Sequence, residues 1–138
     1  MMSYSTNSDI VNSYSQNPVN NFIMKDGDIS YHVGNELCGD NITVYLKIDK
    51  KSITNYSYSG ECSTITSAAA SFLTDLIIGQ SFDTILTRDY TTMKNNGFVV
   101  SPRRKRAAVI AILATRNAIH TYQKDNKNDT FDDLLYND

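Results

Sequence analysis

The hydrophobic period of this chain changes once, at Cys62, and that change limits what it can fold into. Before it, Ile42, Val44, Leu46 and Ile48 alternate with Thr43, Tyr45, Lys47 and Asp49, the two-residue period of a half-buried strand. Asp49-Lys50-Lys51-Ser52 reads as a turn, residues 53–58 as a second strand, and residues 29–33 as an earlier one. After it, Ile65, Ala68, Ala69, Phe72, Leu73, Leu76 and Ile77 follow helical spacing. Ser63 or Thr64 can cap that helix, and Gly79 stands where a glycine ends one. Ser81 opens a second helix burying Phe82, Ile85, Leu86 and Tyr90, which Asn95-Asn96-Gly97 stops. A third spans about residues 102–122, with Val109, Ile110, Leu113, Ala114, Ala118 and Ile119 as its apolar stripe. Strands first and helices after predict an α+β fold: a small three-stranded antiparallel sheet covered by helices, in a single domain.

Size and charge agree with one such domain. The chain has 138 residues, 41% of them hydrophobic and 20% charged, enough for a single core and too few for two ordinary domains. Its formal charge, 13 − 15 = −2, argues against nucleic-acid backbone or an anionic membrane as the main partner. No apolar run reaches membrane-spanning length, and the polar N-terminal stretch has no signal-like core. Two cysteines do not make a secreted disulfide scaffold, so a cytoplasmic protein is expected. Residues 1–20 are expected to form a flexible arm or one short helix, ended by Asn17-Pro18. Residues 21–123 are the expected domain, and 124–138 an acidic, frayed tail in which Phe131, Leu134 and Leu135 make one weak amphipathic turn.

The residues that can carry chemistry sit at element ends. In Cys38-Gly39-Asp40 a thiol and a carboxylate flank a glycine just before the best strand, and Cys62 lies where the first long helix begins. A helix N-terminus favours a thiolate, so Cys62 is expected to be ionised easily. Two thiolates and a carboxylate make an incomplete tetrahedral zinc or iron–sulfur site that wants a fourth ligand. Taken alone, Asp40 reads as a turn or cap residue and the cysteines as small core residues. Arg103-Arg104-Lys105-Arg106 puts four cations on the first turn of the last helix, against its macrodipole. Contact with the site or an acidic partner, or a plain solvated surface, fits them better than nucleic acid. His32 can swing toward Cys38, whereas His120 reads as surface. An independent zinc hydrolase would need a general base, for which Glu61 is the only nearby candidate.

Asn17-Pro18, Cys38-Gly39-Asp40, Gly60-Glu61-Cys62-Ser63, the small-residue helix from Thr66 to Ser71 and the final helix together resemble the U-type iron–sulfur scaffold proteins: IscU, SufU and the N-terminal domain of NifU. The resemblance implies a fold like theirs and a non-enzymatic scaffold role in iron–sulfur cluster assembly. It implies Cys38 as the acceptor of persulfide sulfur from a cysteine desulfurase. Cys38, Asp40 and Cys62 would then hold a transient [2Fe–2S] cluster or zinc, for delivery to acceptor apoproteins. The family's third cysteine falls on Ala107, five residues after Pro102, with Arg106 beside it; arginine is no metal ligand. That loss supports an alternative: a degenerate member that binds the desulfurase as a regulator, or a zinc-binding sulfur-transfer partner, without holding a cluster. Only 44 residues lie between Cys62 and Ala107, an IscU-like length, while the sequence around Cys62 reads closer to SufU. Val100-Ser101-Pro102-Arg103-Arg104 replaces the chaperone-recognition segment of the IscU branch, which counts against a specialised Hsp70 partner.

Overall fold

In a computed structural model, which describes residues 8–35 and 40–135, a three-stranded antiparallel meander in the order β1-β2-β3 forms the floor. Its strands are β1 (Ile29–Asn35), β2 (Asp40–Asp49) and β3 (Ser52–Ser59). Lys50 and Lys51 both take positive φ, 52° and 63°, as a two-residue hairpin matched to strand twist requires. Pairing sets Val44 opposite Tyr58 and Leu46 opposite Tyr56, so the alternating residues of β2 and two tyrosines of β3 share the buried face. Both tyrosine hydroxyls end on α2 (Thr64–Phe72): Tyr56 Oη donates to the Ala70 carbonyl at 2.8 Å, and Tyr58 Oη lies 2.8 Å from Ser71 Oγ. A phenylalanine at either place would leave those helix groups without that partner.

Helices then cover this face. Ala68, Ala69 and Ala70 are fully buried, which lets α2 lie close to its neighbours. The single helix expected up to Ile77 comes as α2 and α3 (Thr74–Ile77), joined at Leu73. The second expected helix also divides, into α4 (Phe82–Ile85) and α5 (Tyr90–Asn95), because Asp89 and Thr92 form a fresh capping box. A 3₁₀ turn over Pro102–Arg104 leads into α6 (Lys105–Gln123). This helix touches α2, β1 and β2, and burial runs unbroken from Ala108 to Thr115, well beyond the predicted stripe. Among the described residues no helix is long and apolar enough to cross a membrane.

Both ends of the described chain are tied down. Ser8 caps α1 (Asp9–Gln16) through Val11 N–H and donates to the Gly97 carbonyl at 2.6 Å. Val11 is fully buried, and Tyr14 meets Phe72 edge-on with centroids 5.5 Å apart. Residues 9–16 are thus a docked helix. At the other end two expectations are corrected. After α6 the chain reverses through Lys124, in the left-handed region at φ 56°, and folds back rather than fraying. Asp129 N–H donates to Asn117 Oδ1 at 2.7 Å, and its carboxylate accepts from Arg116 Nε at 2.9 Å. His120, expected on the surface, is buried between Asp125 (2.8 Å from Nδ1) and Asp129 (2.9 Å from Nε2). Helix α7 (Phe131–Leu135) follows, with Leu134 buried.

Asp129 thus serves Arg116 and His120 at once. Asp129→Ala leaves both without that acceptor and is expected to cost about 2 kcal/mol or more in urea unfolding. Lys47→Ala breaks only the exposed pair with Asp26 and should leave the urea midpoint nearly unchanged.

Candidate functional site

The site is built where the start of β2 meets the start of α2. Gly60 makes the meeting possible: it holds φ +125°, and a Cβ there would stand 2.5 Å from the Asn41 carbonyl oxygen. No L side chain fits that approach without movement. Asn41 N–H then donates to the Glu61 carbonyl at 2.9 Å, and Cys62 Sγ donates to the Asn41 carbonyl at 3.4 Å. Glu61 is itself exposed.

Asp40 completes the junction. Its Oδ1 accepts from Ser63 N–H at 2.9 Å, and Oδ2 accepts from Ser63 Oγ at 3.3 Å and Thr66 Oγ1 at 2.5 Å. Ser63 in turn caps α2 through Thr66 N–H. A carboxylate offers about four lone-pair positions; three are taken, and the one left is on Oδ1. The reading of Asp40 as a cap and its reading as part of a site are therefore both realised in one side chain. Ser63 was legible as a cap, but its bond to a residue 23 positions away was not.

This arrangement reverses the expectation for Cys62. Its thiol is pushed up from 9.0 to about 11, first by burial and second by the Asp40 charge. The favourable field of the α2 N-terminus is already taken by that carboxylate, so it does not lower the thiol.

Beyond Asp40 lies a cavity of about 270 Å³ bounded by Asp40, Ser63, Ala107, Ile110 and Phe131. Ala107 therefore lines the same cavity as the clamp, and α7, expected to fray, supplies part of its wall. Arg103, Arg104 and Arg106 line the same space, and the Arg106 guanidinium lies over the Phe131 ring, 5.0 Å from its centroid. Lys105 turns instead to Tyr90, at 5.2 Å. His32 is exposed on β1 and hydrogen-bonds Asn41 Oδ1 at 3.3 Å; it joins neither Asp40 nor Cys62. Cys38 lies outside the described residues. Among the described residues no three His, Cys, Asp or Glu side chains converge as a metal site.

The thiol shift has a sign that can be checked on metal-free Cys38→Ser protein, where Cys62 is the only thiol. Iodoacetamide should react more slowly than with free cysteine at pH 8 and speed up towards pH 11. Because the folded value lies above the ordinary one, the associated stability is present below about pH 9 and lost as pH rises through about 11. Asp40→Asn should bring the alkylation midpoint down.

A family profile described as NifU-like N terminal domain matches residues 6–129. The chain is 30% identical over 91 residues to the zinc-dependent sulfurtransferase SufU of Bacillus subtilis, covering 62% of this chain and 61% of that protein. It is 30% identical over 122 residues to the iron–sulfur cluster assembly scaffold protein IscU 1 of Archaeoglobus fulgidus, covering 86% of this chain and 78% of that one. The chain thus spans less than two thirds of the length of the Bacillus relative. The crystal structure of a nitrogen-fixing NifU-like protein (N-terminal) from Brucella abortus superposes with TM-score 0.68 at 19% identity, over 84% of this chain and 93% of that one. That likeness establishes the α+β fold. With the profile spanning nearly all of the chain and the fold shared, this protein belongs to the NifU-like N-terminal domain family.

Proposed function

We propose that the protein works in iron–sulfur cluster assembly, as a cytoplasmic scaffold-type sulfur acceptor served by a cysteine desulfurase and delivering to apoproteins. The observation that carries the reading is the Asp40 clamp, which sets Asp40 beside Cys62 although 22 positions separate them. Cys38 precedes Asp40 by two positions in the sequence. The names of the Bacillus and Archaeoglobus relatives support the same role.

In this reading Cys38 carries the sulfur, because a glycine-hinged position can reach into another protein while Cys62 is tied to α2. The Cys38 thiolate attacks the outer sulfur of the desulfurase's cysteine persulfide. That S–S bond breaks, a new one forms on Cys38, and the desulfurase cysteine leaves as its thiolate. The exchange needs no outside oxidant or reductant. Cys38, Cys62 and the free lone pair of Asp40 then offer two soft donors and one hard one to a [2Fe–2S] cargo, a set suited to letting go.

A resident zinc places the same demand on donors. A closed structural site needs four, and Ala107 brings only a methyl group to the cavity wall. The donors fit an open, three-ligand zinc held by Cys38, Asp40 and Cys62. Ala107 also favours a second reading, a regulator that binds the desulfurase without holding a cluster.

Two experiments decide between these. After anaerobic incubation with a desulfurase and cysteine, mass spectrometry should find added sulfur on the peptide containing Cys38; sulfur confined to Cys62 overturns the assignment. Ala107→Cys should tighten zinc, measured by chelator competition, by about tenfold or more, which is about 1.4 kcal/mol, and should prolong the life of a reconstituted cluster. A cluster held by the variant alone makes the regulator reading the correct one.

A further inference from the structure

The cavity beside Asp40 also carries three arginines that the sulfur chemistry does not use. We propose that it binds a small organic anion carrying two or more negative charges, held by Arg103, Arg104 and Arg106. Three guanidiniums and one carboxylate line it, 3 − 1 = +2, and that carboxylate is committed to Ser63 and Thr66. Among the described residues no carboxylate pairs with Arg103, Arg104 or Arg106. The Arg106 guanidinium carbon lies over the Phe131 ring, 5.0 Å from its centroid, a cation–π contact that takes up none of its N–H donors and leaves them for a carboxylate or phosphate.

The apolar part of the wall limits what the anion looks like. Ala107, Ile110 and Phe131 offer carbon surface in the same cavity, which suits a short carbon skeleton better than a bare inorganic ion. About 270 Å³ has room for roughly nine water-sized groups, the size of a di- or tricarboxylate or of a phosphorylated three-carbon compound. The anion would also relieve a cost built into α6. Arg103 and Arg104 lie in the 3₁₀ turn that leads into α6 and Arg106 in its first turn, with no side-chain cap and no acid in that turn, and a negative charge nearby offsets their unfavourable interaction with the macrodipole. A long nucleic-acid backbone is a poorer match, since the arginines converge on one cavity in a chain of net charge −2.

The test needs neither metal nor desulfurase, so it stands or falls apart from sulfur acceptance. Citrate, glycerol 3-phosphate and acetate are titrated calorimetrically into metal-free full-length protein at one ionic strength, with amide shifts of Ser63 and Ala107 followed in parallel. Citrate or glycerol 3-phosphate should bind about tenfold or more tightly than acetate and should move both amides; whichever is tighter assigns the carboxylate or the phosphate class. Arg103→Gln and Arg106→Gln, at exposed positions where circular dichroism can verify the fold, should each weaken that binding about tenfold. Lys25→Gln, an exposed cation at the far side of the sequence, should leave it unchanged. Equal weak binding of all three anions, or an equal loss in Lys25→Gln, overturns the proposal and reduces the arginines to general surface charge.

Discussion

One carboxylate holds the functional end of this molecule together. Asp40 opens β2 and accepts three hydrogen bonds from Ser63 and Thr66, in the first turn of α2. An anion on a helix N-terminus is stabilised both by the unpaired N–H groups and by the dipole, so the clamp draws a strand start and a helix start into contact. Its second effect is on Cys62, whose thiol is held protonated first by its burial and second by this negative charge standing where an open helix end would be. The same residue is thus a structural tie and a brake on its neighbouring thiol. A bound cation would reverse the second effect without breaking the first, since one lone pair of Oδ1 remains free.

The rest of the fold keeps this junction rigid. Tyr56 and Tyr58 carry the sheet into α2 by hydroxyls that end on its backbone and side chains, and α6 crosses both layers with hardly an exposed residue in its middle. The C-terminal return adds a second polar anchor, with Arg116, Asn117 and His120 of α6 all bonded to Asp129. Through that anchor α7 becomes a wall of the cavity. The apolar side of the site therefore depends on a segment whose own sequence would not hold a helix unaided.

What could be read beforehand follows from range of interaction. β2 was legible because alternation is local, and Ser63 and Ser81 because a cap acts within three residues. Asp40 and Cys62 were legible as chemistry at element ends, yet their mutual influence depends on a contact across 22 positions that no local pattern encodes. The expectation of an easily ionised Cys62 used the helix dipole alone and missed first the burial of the thiol and second the anion already seated on the helix end. His120 looked like surface because its partners, Asp125 and Asp129, lie in a stretch that reads as polar tail. A five-residue helix is too short to display a period, so α7 showed only as one weak amphipathic turn.

Convergence of Cys38, Asp40 and Cys62 on one point is the central claim, and cobalt(II) reports it directly, because thiolate-to-cobalt charge-transfer absorption counts bound sulfurs. Titration of metal-free protein should saturate at one cobalt per chain, with Cys38→Ser and Cys62→Ser each removing about half of the band and Asp40→Asn loosening the metal while keeping both sulfurs. Two cobalt ions per chain, each with a single sulfur, or a band that survives loss of both cysteines, would contradict it.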